Sequence, residues 1–221
     1  MKLAVRIQHH PSRVRHLALL ENLLDETRVE VIEDTTNTLS GCKKALSSIG
    51  SDDTHILVLQ DDCLPSKDLI ATCKKIIKVI PDKPITLFSA YPIVTRALKR
   101  KQTFAKANFF YGAVAYILPR EIAKGFLEFS PRLIDTVTQD EIGLSVYFYT
   151  KGIETYITAP SLVEHLAWRE STLSDTNNRE NRIADSYLGL EKSGLDIDWQ
   201  LDDPPLLFNE TVSKYETRIK K

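Results

Sequence analysis

The stretch that most constrains the fold of this chain is residues 54–67, THILVLQDDCLPSK. An unbroken apolar run, Ile56-Leu57-Val58-Leu59, passes at once into Asp61 and Asp62, and Leu64-Pro65-Ser66 then breaks the extended chain. A short apolar run bounded by turn residues reads as a strand covered on both faces. Such strands belong to open α/β sheets, where ligands bind in the crevice beyond the carboxyl ends of the strands. Two adjacent carboxylates at that place repel each other unless positive charge lies beside them, and the usual partner is a hard divalent cation that prefers oxygen ligands. The ordinary alternative is a solvated acidic loop.

The surrounding chain repeats the strand–helix pattern. Residues 2–8 read as a strand that ends in His9-His10-Pro11-Ser12-Arg13, and apolar residues at 14, 17, 20, 23 and 24 follow at helical spacing. Residues 28–32 predict a second strand ending in Glu33-Asp34-Thr35-Thr36-Asn37, and 41–49 predict a short helix stopped by Gly50. A helix over 67–80, stopped by Pro81, and a fourth strand over 85–88 complete the first half. Three alternations predict a mostly parallel sheet with helices on both faces, of nucleotide-binding type.

The second half is less regular. Residues 91–108 show no apolar period and are basic. A strand over 111–118, a helix from Pro119 to about Phe129, a loop over 130–138 and a helix over 142–149 opened by Gln139-Asp140-Glu141 are expected. A strand over 153–157 leads into Pro160-Ser161-Leu162-Val163-Glu164-His165. Residues 171–178 read as a loose polar stretch, 179–192 as a helix, and the tail as ending in a last short helix.

Composition narrows the classes. A chain of 221 residues makes one domain, or one with an extension, and can bury a sizeable core. A net charge of −1 creates no whole-protein field toward nucleic acid or acidic lipid, so any polyanion contact must be local. Cys42, Cys63 and Cys73 form no C-x-x-C pair and fit free thiols in a reducing cytosol. The apolar stretch over 3–7 is short and interrupted by Arg6, and no stretch is long enough to span a membrane, so a cytoplasmic protein is expected. The sequon Asn209-Glu210-Thr211 carries no weight without secretion.

Four separated features then line up: the acidic pair at 61–62 after a strand, the segment Phe109-Phe110-Tyr111-Gly112-Ala113-Val114-Ala115-Tyr116 leading into a helix, the acidic residues Asp140-Glu141 opening another, and the 160–165 segment after the final strand. In this order they resemble the GT-A class of nucleotide-sugar-dependent glycosyltransferases over about residues 3–166. The resemblance implies a GT-A-like three-layer α/β sandwich with a mixed, mainly parallel central sheet. It implies a catalytic domain over 1–168, with a nucleotide-sugar half at 1–90 and an acceptor half at 91–168, and a C-terminal helical extension over 169–221.

Residue roles follow from the same resemblance. Asp61-Asp62 stand at the D-x-D motif that holds Mn²⁺ or Mg²⁺ on the donor diphosphate, although Gln60 replaces its first carboxylate. Asp62 is then the expected metal ligand, with His165 as a further ligand and Asp61 turned toward the sugar or ribose. Asp140 matches the catalytic base of inverting members, with Glu141 beside it. Asp34 matches a nucleobase-binding Asp, and Gln8, His9, His10, Arg13, Lys43 and Gln60 complete the expected contacts to a nucleoside-diphosphate sugar, a UDP-sugar first. Each residue also has an ordinary reading: Asp140 as a helix-start carboxylate, His165 as a satisfied core histidine, His9 and His10 as loop structure, Lys43 and Lys44 as solvated lysines.

The acceptor is expected in the second half. Arg96, Lys99, Arg100, Lys101 and Lys106 lie beside Phe104, Phe109, Phe110 and Tyr111, and basic residues among aromatics suit a nucleic-acid backbone and an extruded base. A hydroxymethylated base in DNA, as in small viral DNA-modifying glycosyltransferases, is the leading candidate, which would place the protein in a host cytoplasm. A cell-envelope saccharide or lipid-linked acceptor is the main competitor, and a solvated surface is the ordinary reading. A nucleotidyltransferase would carry a Gly-rich loop after the first strand, where this chain has His-His-Pro-Ser-Arg, and a nucleic-acid-binding module would need no acidic pairs at two element ends.

Overall fold

Side-chain alternation decides the layering. The computed structural model describes residues 1–24, 29–166, 183–207 and 217–220. The strands are β1 (Leu3–His9), β2 (Val29–Glu33), β3 (His55–Gln60), β4 (Cys63–Pro65), β5 (Ile85–Thr86), β6 (Phe104–Ala107), β7 (Ala115–Pro119), β8 (Thr155–Thr158), β9 (Val163–His165) and β10 (Leu206–Leu207). The helices are α1 (Val14–Leu23), α2 (Thr38–Ser47), α3 (Leu69–Val79), α4 (Ile93–Lys99), α5 (Arg120–Phe129) and α6 (Asp140–Lys151). Along the central strands Val5, Ile7, Leu57, Leu59 and Ile117 point to one face and pack on Leu20 of α1 and on Cys73, Ile76 and Ile77 of α3. Their neighbours Ala4, Ile56, Val58, Tyr116 and Leu118 point to the other and pack on α2, α5 and α6. A period of two with both faces apolar is what a doubly covered sheet requires.

Among the described residues the main sheet has eight strands in the order β10-β6-β8-β5-β7-β3-β1-β2. β1 runs parallel to both β2 and β3, β5 is parallel to β8, and β10 is parallel to β6; β7 is antiparallel to β3 and β5, and β6 is antiparallel to β8. The expected α/β sandwich with a mixed, mainly parallel sheet is therefore the fold observed. A second, two-stranded ribbon pairs β4 with β9 and sets His165 opposite Cys63. The three cysteines are free and buried.

Two expectations need correction. The basic stretch is not an irregular loop: residues 93–99 form α4 and 104–107 form β6, with Lys101 in the left-handed region (φ 59°) between them. Ile93, Val94 and Ala97 bury one side of that helix, leaving its charges outside. The described part of the C-terminal extension holds a 3₁₀ turn, Gly194–Asp196, and no α-helix. Residues 183–192 contain no α-helix, Trp199 joins the core, and β10 extends the sheet beside β6. The loose stretch over 171–178, the first residues of the expected 179–192 helix, the sequon and most of the last helix lie outside the described residues.

Candidate active site

The chain leaves β1 for β2 on one side and then crosses to β3 on the other, so the strand order reverses at β1. Open α/β sheets bind ligands at such a switch point, outside the carboxyl ends of the strands. A cleft lies there, enclosing about 740 Å³ that is partly open to solvent. Its walls are Gln8, His9, His10 and Arg13 after β1, residues 34–38 after β2, Gln60, Asp61 and Asp62 after β3, and His165 from β9. Every expected donor or metal residue lines it except Lys43, which is exposed on α2.

The acidic pair forms the floor. Asp61 Oδ2 accepts from His9 Nδ1 and from the backbone N–H of His10, both at 2.9 Å. Arg13 Nη1 donates to Asp61 Oδ1 at 3.0 Å and to Asp62 Oδ2 at 2.6 Å. His165 Nε2 lies 3.1 Å from Asp62 Oδ2. An ionised carboxylate only accepts, so His9 carries its proton on Nδ1 and His165 on Nε2. Local structure explains the convergence. His10 caps the short 3₁₀ turn Pro11–Arg13 by accepting from the Ser12 N–H, and Arg13 N–H returns to His10 O at 2.8 Å, which turns the guanidinium back over the carboxylates. The β4–β9 ribbon and the bond from Leu166 N–H to Asp62 O at 2.8 Å bring His165 to the same place. Burial alone would lower the Arg13 guanidinium, but the charges of Asp62 and Asp61 outweigh it and raise it above its ordinary value.

The expected metal can be tested on these atoms. Asp62 and His165 do meet, with a separation that two neighbouring ligands of one ion would have, since each would sit ~2.0–2.5 Å from it. The space between the two carboxylates, where an ion would bridge them, is held by Arg13 Nη1. Gln60 supplies an amide where a further carboxylate would help, and it reaches instead toward Asp140. No group of three His, Cys, Asp or Glu arranged to hold a metal occurs among the described residues. The residues present do not fit a conventional divalent site.

Asp34 is spent on its own turn. Its Oδ1 accepts from the N–H groups of Thr36 (2.6 Å) and Asn37 (3.3 Å), and its Oδ2 from Ser40 Oγ and Lys44 Nζ, both at 2.7 Å. A carboxylate has about four acceptor sites, and all are taken. Burial works to raise this carboxyl, but the bonds from Lys44, Ser40, Thr36 and Asn37 hold it well below the usual carboxylate range. Asp34 therefore shapes the wall, and Thr35, Thr36, Asn37 and Thr38 line the cleft beside it. The signal for them was the run Asp34-Thr-Thr-Asn-Thr, an Asx-type turn followed by the N-cap Asn37, whose Oδ1 accepts from Ser40 N–H at 2.9 Å.

The second acidic pair lies one amide layer away. Asp140, 3% exposed, opens α6 beneath Gln60, whose Nε2 approaches its Oδ2 at 3.5 Å. The Gln8 amide, turned so that its oxygen accepts from Cys42 N–H, donates to the same oxygen at 3.3 Å. Burial pushes the Asp140 carboxyl up to about 6 against the bonds from Glu141 N–H, Thr38 and Gln60. Glu141 is only half-buried by its surface, and its partners are the Gly112 backbone and Tyr111. Desolvation and the Asp140 charge push it up to about 7, while a bond from the Gly112 backbone opposes them. Gly112 (φ +90°) is needed there, because a Cβ would lie 2.5 Å from Phe88 O. Asp140, expected as the base, is thus the screened member, and Glu141 is the accessible one.

The expected acceptor residues divide. Arg96, Lys99, Arg100 and Lys101 are exposed on and just after α4, while Lys106 pairs with Glu154 at 3.5 Å. Tyr111 stacks on Tyr91 with ring centroids 4.6 Å apart, and Tyr91 is 44% exposed. Phe110 cannot flank a base: it is 0% exposed, edge-on to Tyr116 and Phe148 in the core, and Phe104 and Phe109 are buried too. Adjacent strand-like residues face opposite layers, so Phe109 and Phe110 enter different clusters.

No family model matches the chain, and no curated protein matches it. Solved structures similar to it include A197 from STIV, at 12% identity and a TM-score of 0.48, covering 95% of this chain and 100% of that one. Another is the catalytic domain of Drosophila β1,4-galactosyltransferase 7 in complex with xylobiose, at 12% identity and a TM-score of 0.47, covering 81% of this chain and 77% of that one. Both likenesses are distant. No helix among the described residues is long and apolar enough to cross a membrane.

Proposed function

We propose that this chain is an inverting glycosyltransferase that moves a sugar from a nucleoside-diphosphate donor, a UDP-sugar first, to a hydroxyl acceptor. The observation that carries the reading is the pairing of a polar cleft at the β1/β3 switch, with the Arg13 guanidinium in it, with two carboxylates of raised pKa close by. The nucleoside lies along the turn at residues 35–38, and the diphosphate lies toward His10 and Arg13. The acceptor O–H gives its proton to the Glu141 carboxylate as its oxygen attacks the anomeric carbon. The bond from that carbon to the diphosphate oxygen breaks, and its electron pair leaves with the diphosphate. One displacement yields an inverted glycoside, a nucleoside diphosphate and a protonated Glu141. A base whose pKa lies near 7 is matched to this task, and Asp140 keeps Glu141 raised by its charge.

The exposed basic face of α4 beside the Tyr91–Tyr111 pair favours a phosphate-bearing acceptor, of which DNA with a hydroxymethylated base is the first to test. The experiment is a panel of UDP-sugars incubated with such DNA and, in parallel, with glycan and lipid-linked acceptors. Acceptor-dependent release of UDP is expected with DNA, with affinity falling steeply as salt rises because each neutralised phosphate releases counterions. Consumption of a glycan or lipid acceptor instead would move the acceptor assignment. The absence of any melting-temperature rise with any nucleoside diphosphate or its sugar would remove the transferase reading itself.

A further inference from the structure

We propose that Arg13 is the resident cation of this cleft, that Asp61 and Asp62 serve to hold it, and that donor binding needs no divalent metal; the donor half of this inference rests on the transferase reading above. Expulsion of a nucleoside diphosphate requires fixed positive charge where negative charge grows, and an arginine clamp supplies it as a metal does. A divalent ion bridging two neighbouring carboxylates would occupy the gap between their facing oxygens, ~2.0–2.5 Å from each. In this structure that gap lies between Asp61 Oδ1 and Asp62 Oδ2, and Arg13 Nη1 fills it at 3.0 and 2.6 Å.

Three further features point the same way. His165 Nε2, the atom that would ligate an ion, is turned on Asp62 Oδ2, and His9 Nδ1 is turned on Asp61 Oδ2. The position before the pair is Gln60, which adds no charge and leans on Asp140. Arg13 itself lines the cleft and keeps 14% of its side chain exposed, so its charge faces the space a diphosphate would enter while the carboxylates fix its position. A dication added beside the guanidinium would set three positive charges against the two carboxylates. The acidic pair thus orients an arginine, which makes Asp61 and Asp62 positioning residues.

The test has two independent arms, each begun on the wild-type protein. In the first, Mn²⁺ is titrated into the protein alone and the six-line resonance of the free ion is followed by electron paramagnetic resonance. No site tighter than about 1 mM is expected, because a metal would have to displace both Arg13 and the His165 proton. One stoichiometric site at or below about 100 μM that disappears in His165→Ala would overturn the proposal. In the second arm UDP is titrated calorimetrically with EDTA and with Mn²⁺. Affinities within about twofold are expected, and a gain of tenfold or more with Mn²⁺ would overturn it. Arg13→Lys keeps a cation but loses the planar fork, and is expected to bind UDP about tenfold more weakly with the same indifference to Mn²⁺. If no nucleotide binds under either condition, the transferase reading fails, while the Mn²⁺ titration still decides whether Arg13 or a metal holds the carboxylates.

Discussion

The two acidic pairs of this chain, Asp61–Asp62 and Asp140–Glu141, are alike in composition and opposite in surroundings. The first is wrapped in hydrogen-bond donors: Arg13 spans both carboxylates, and His9 and His165 close the outer sides. The second is wrapped in amides and backbone, with Gln8, Gln60 and Thr38 on Asp140 and the Gly112 backbone on Glu141, and burial drives both carboxyls upward. Neighbouring carboxylates therefore carry no fixed meaning. One pair stores negative charge that fixes a guanidinium, and the other holds protons in the range where they can be exchanged.

The largest effect that would break this contrast is at Glu141. Replacing Glu141 with Gln keeps the shape and removes the base, so transfer is expected to fall ~10²–10⁴-fold with UDP affinity unchanged. In wild-type protein the rate is expected to fall below about pH 7, because Glu141 must be ionised to accept a proton. That acidic limb is expected to vanish in the Gln variant, and pH–rate profiles of the two proteins check it.

Arg13→Ala attacks the other pair. It leaves two adjacent buried carboxylates without their shared cation, and urea unfolding is expected to show a loss of about 3–5 kcal/mol. Neutralising Asp61 in the same protein is expected to restore part of that loss. A loss that is simply additive in the double variant would show that the pair and the arginine do not act together.

Asp140 tests the sign of burial. Its folded pKa lies above the value near 4 of an unfolded Asp, so its stabilising share is full below pH 4 and is lost as pH rises to about 6. Glu141 extends the same decline toward pH 7. Asp140→Asn is expected to remove the pH 4–6 part, on the order of 2–3 kcal/mol, in stability curves measured against pH. A wild-type protein that gained stability across that window would contradict the burial of this carboxylate.

Lys44 and Lys43 supply the smallest effect. Lys44→Ala takes one bond from Asp34 and is expected to cost about 1 kcal/mol. Asp34 has a depressed pKa, so its contribution is present above pH 4 and lost as pH falls further, and the Lys44 variant is expected to narrow that acid loss. Lys43→Ala, on the exposed side of the same helix, is expected to change stability by less than about 0.5 kcal/mol and activity not at all.

The first half of the chain was largely legible in the sequence because its signals are long and local. Seven residues of β1 and six of β3 carry apolar runs, the helices between them have a 3.6-residue period, and ligands at strand ends follow from sheet geometry. The second half was not, because its elements are short. α4 has seven residues and β6 has four, too few for a period to stand out among five basic side chains. The β4–β9 ribbon has three residues per strand, so the meeting of Asp62 with His165 came from the resemblance and not from pairing rules. Which carboxylate of 140–141 is accessible, and that Phe110 is inside, depend on the face each presents, and a one-residue change of phase reverses that. Arg13 could be placed near the donor, but its insertion between Asp61 and Asp62 is a tertiary fact that depends on the 3₁₀ turn before it.

The most direct test of the central claim is a titration of UDP into uniformly ¹⁵N-labelled protein, followed by amide chemical shifts. Saturable shifts are expected at His10, Arg13, residues 35–38, Asp61 and Asp62, with α4 unmoved. Shifts confined to α4 and the Tyr91–Tyr111 pair, or none at the cleft up to millimolar nucleotide, would contradict it.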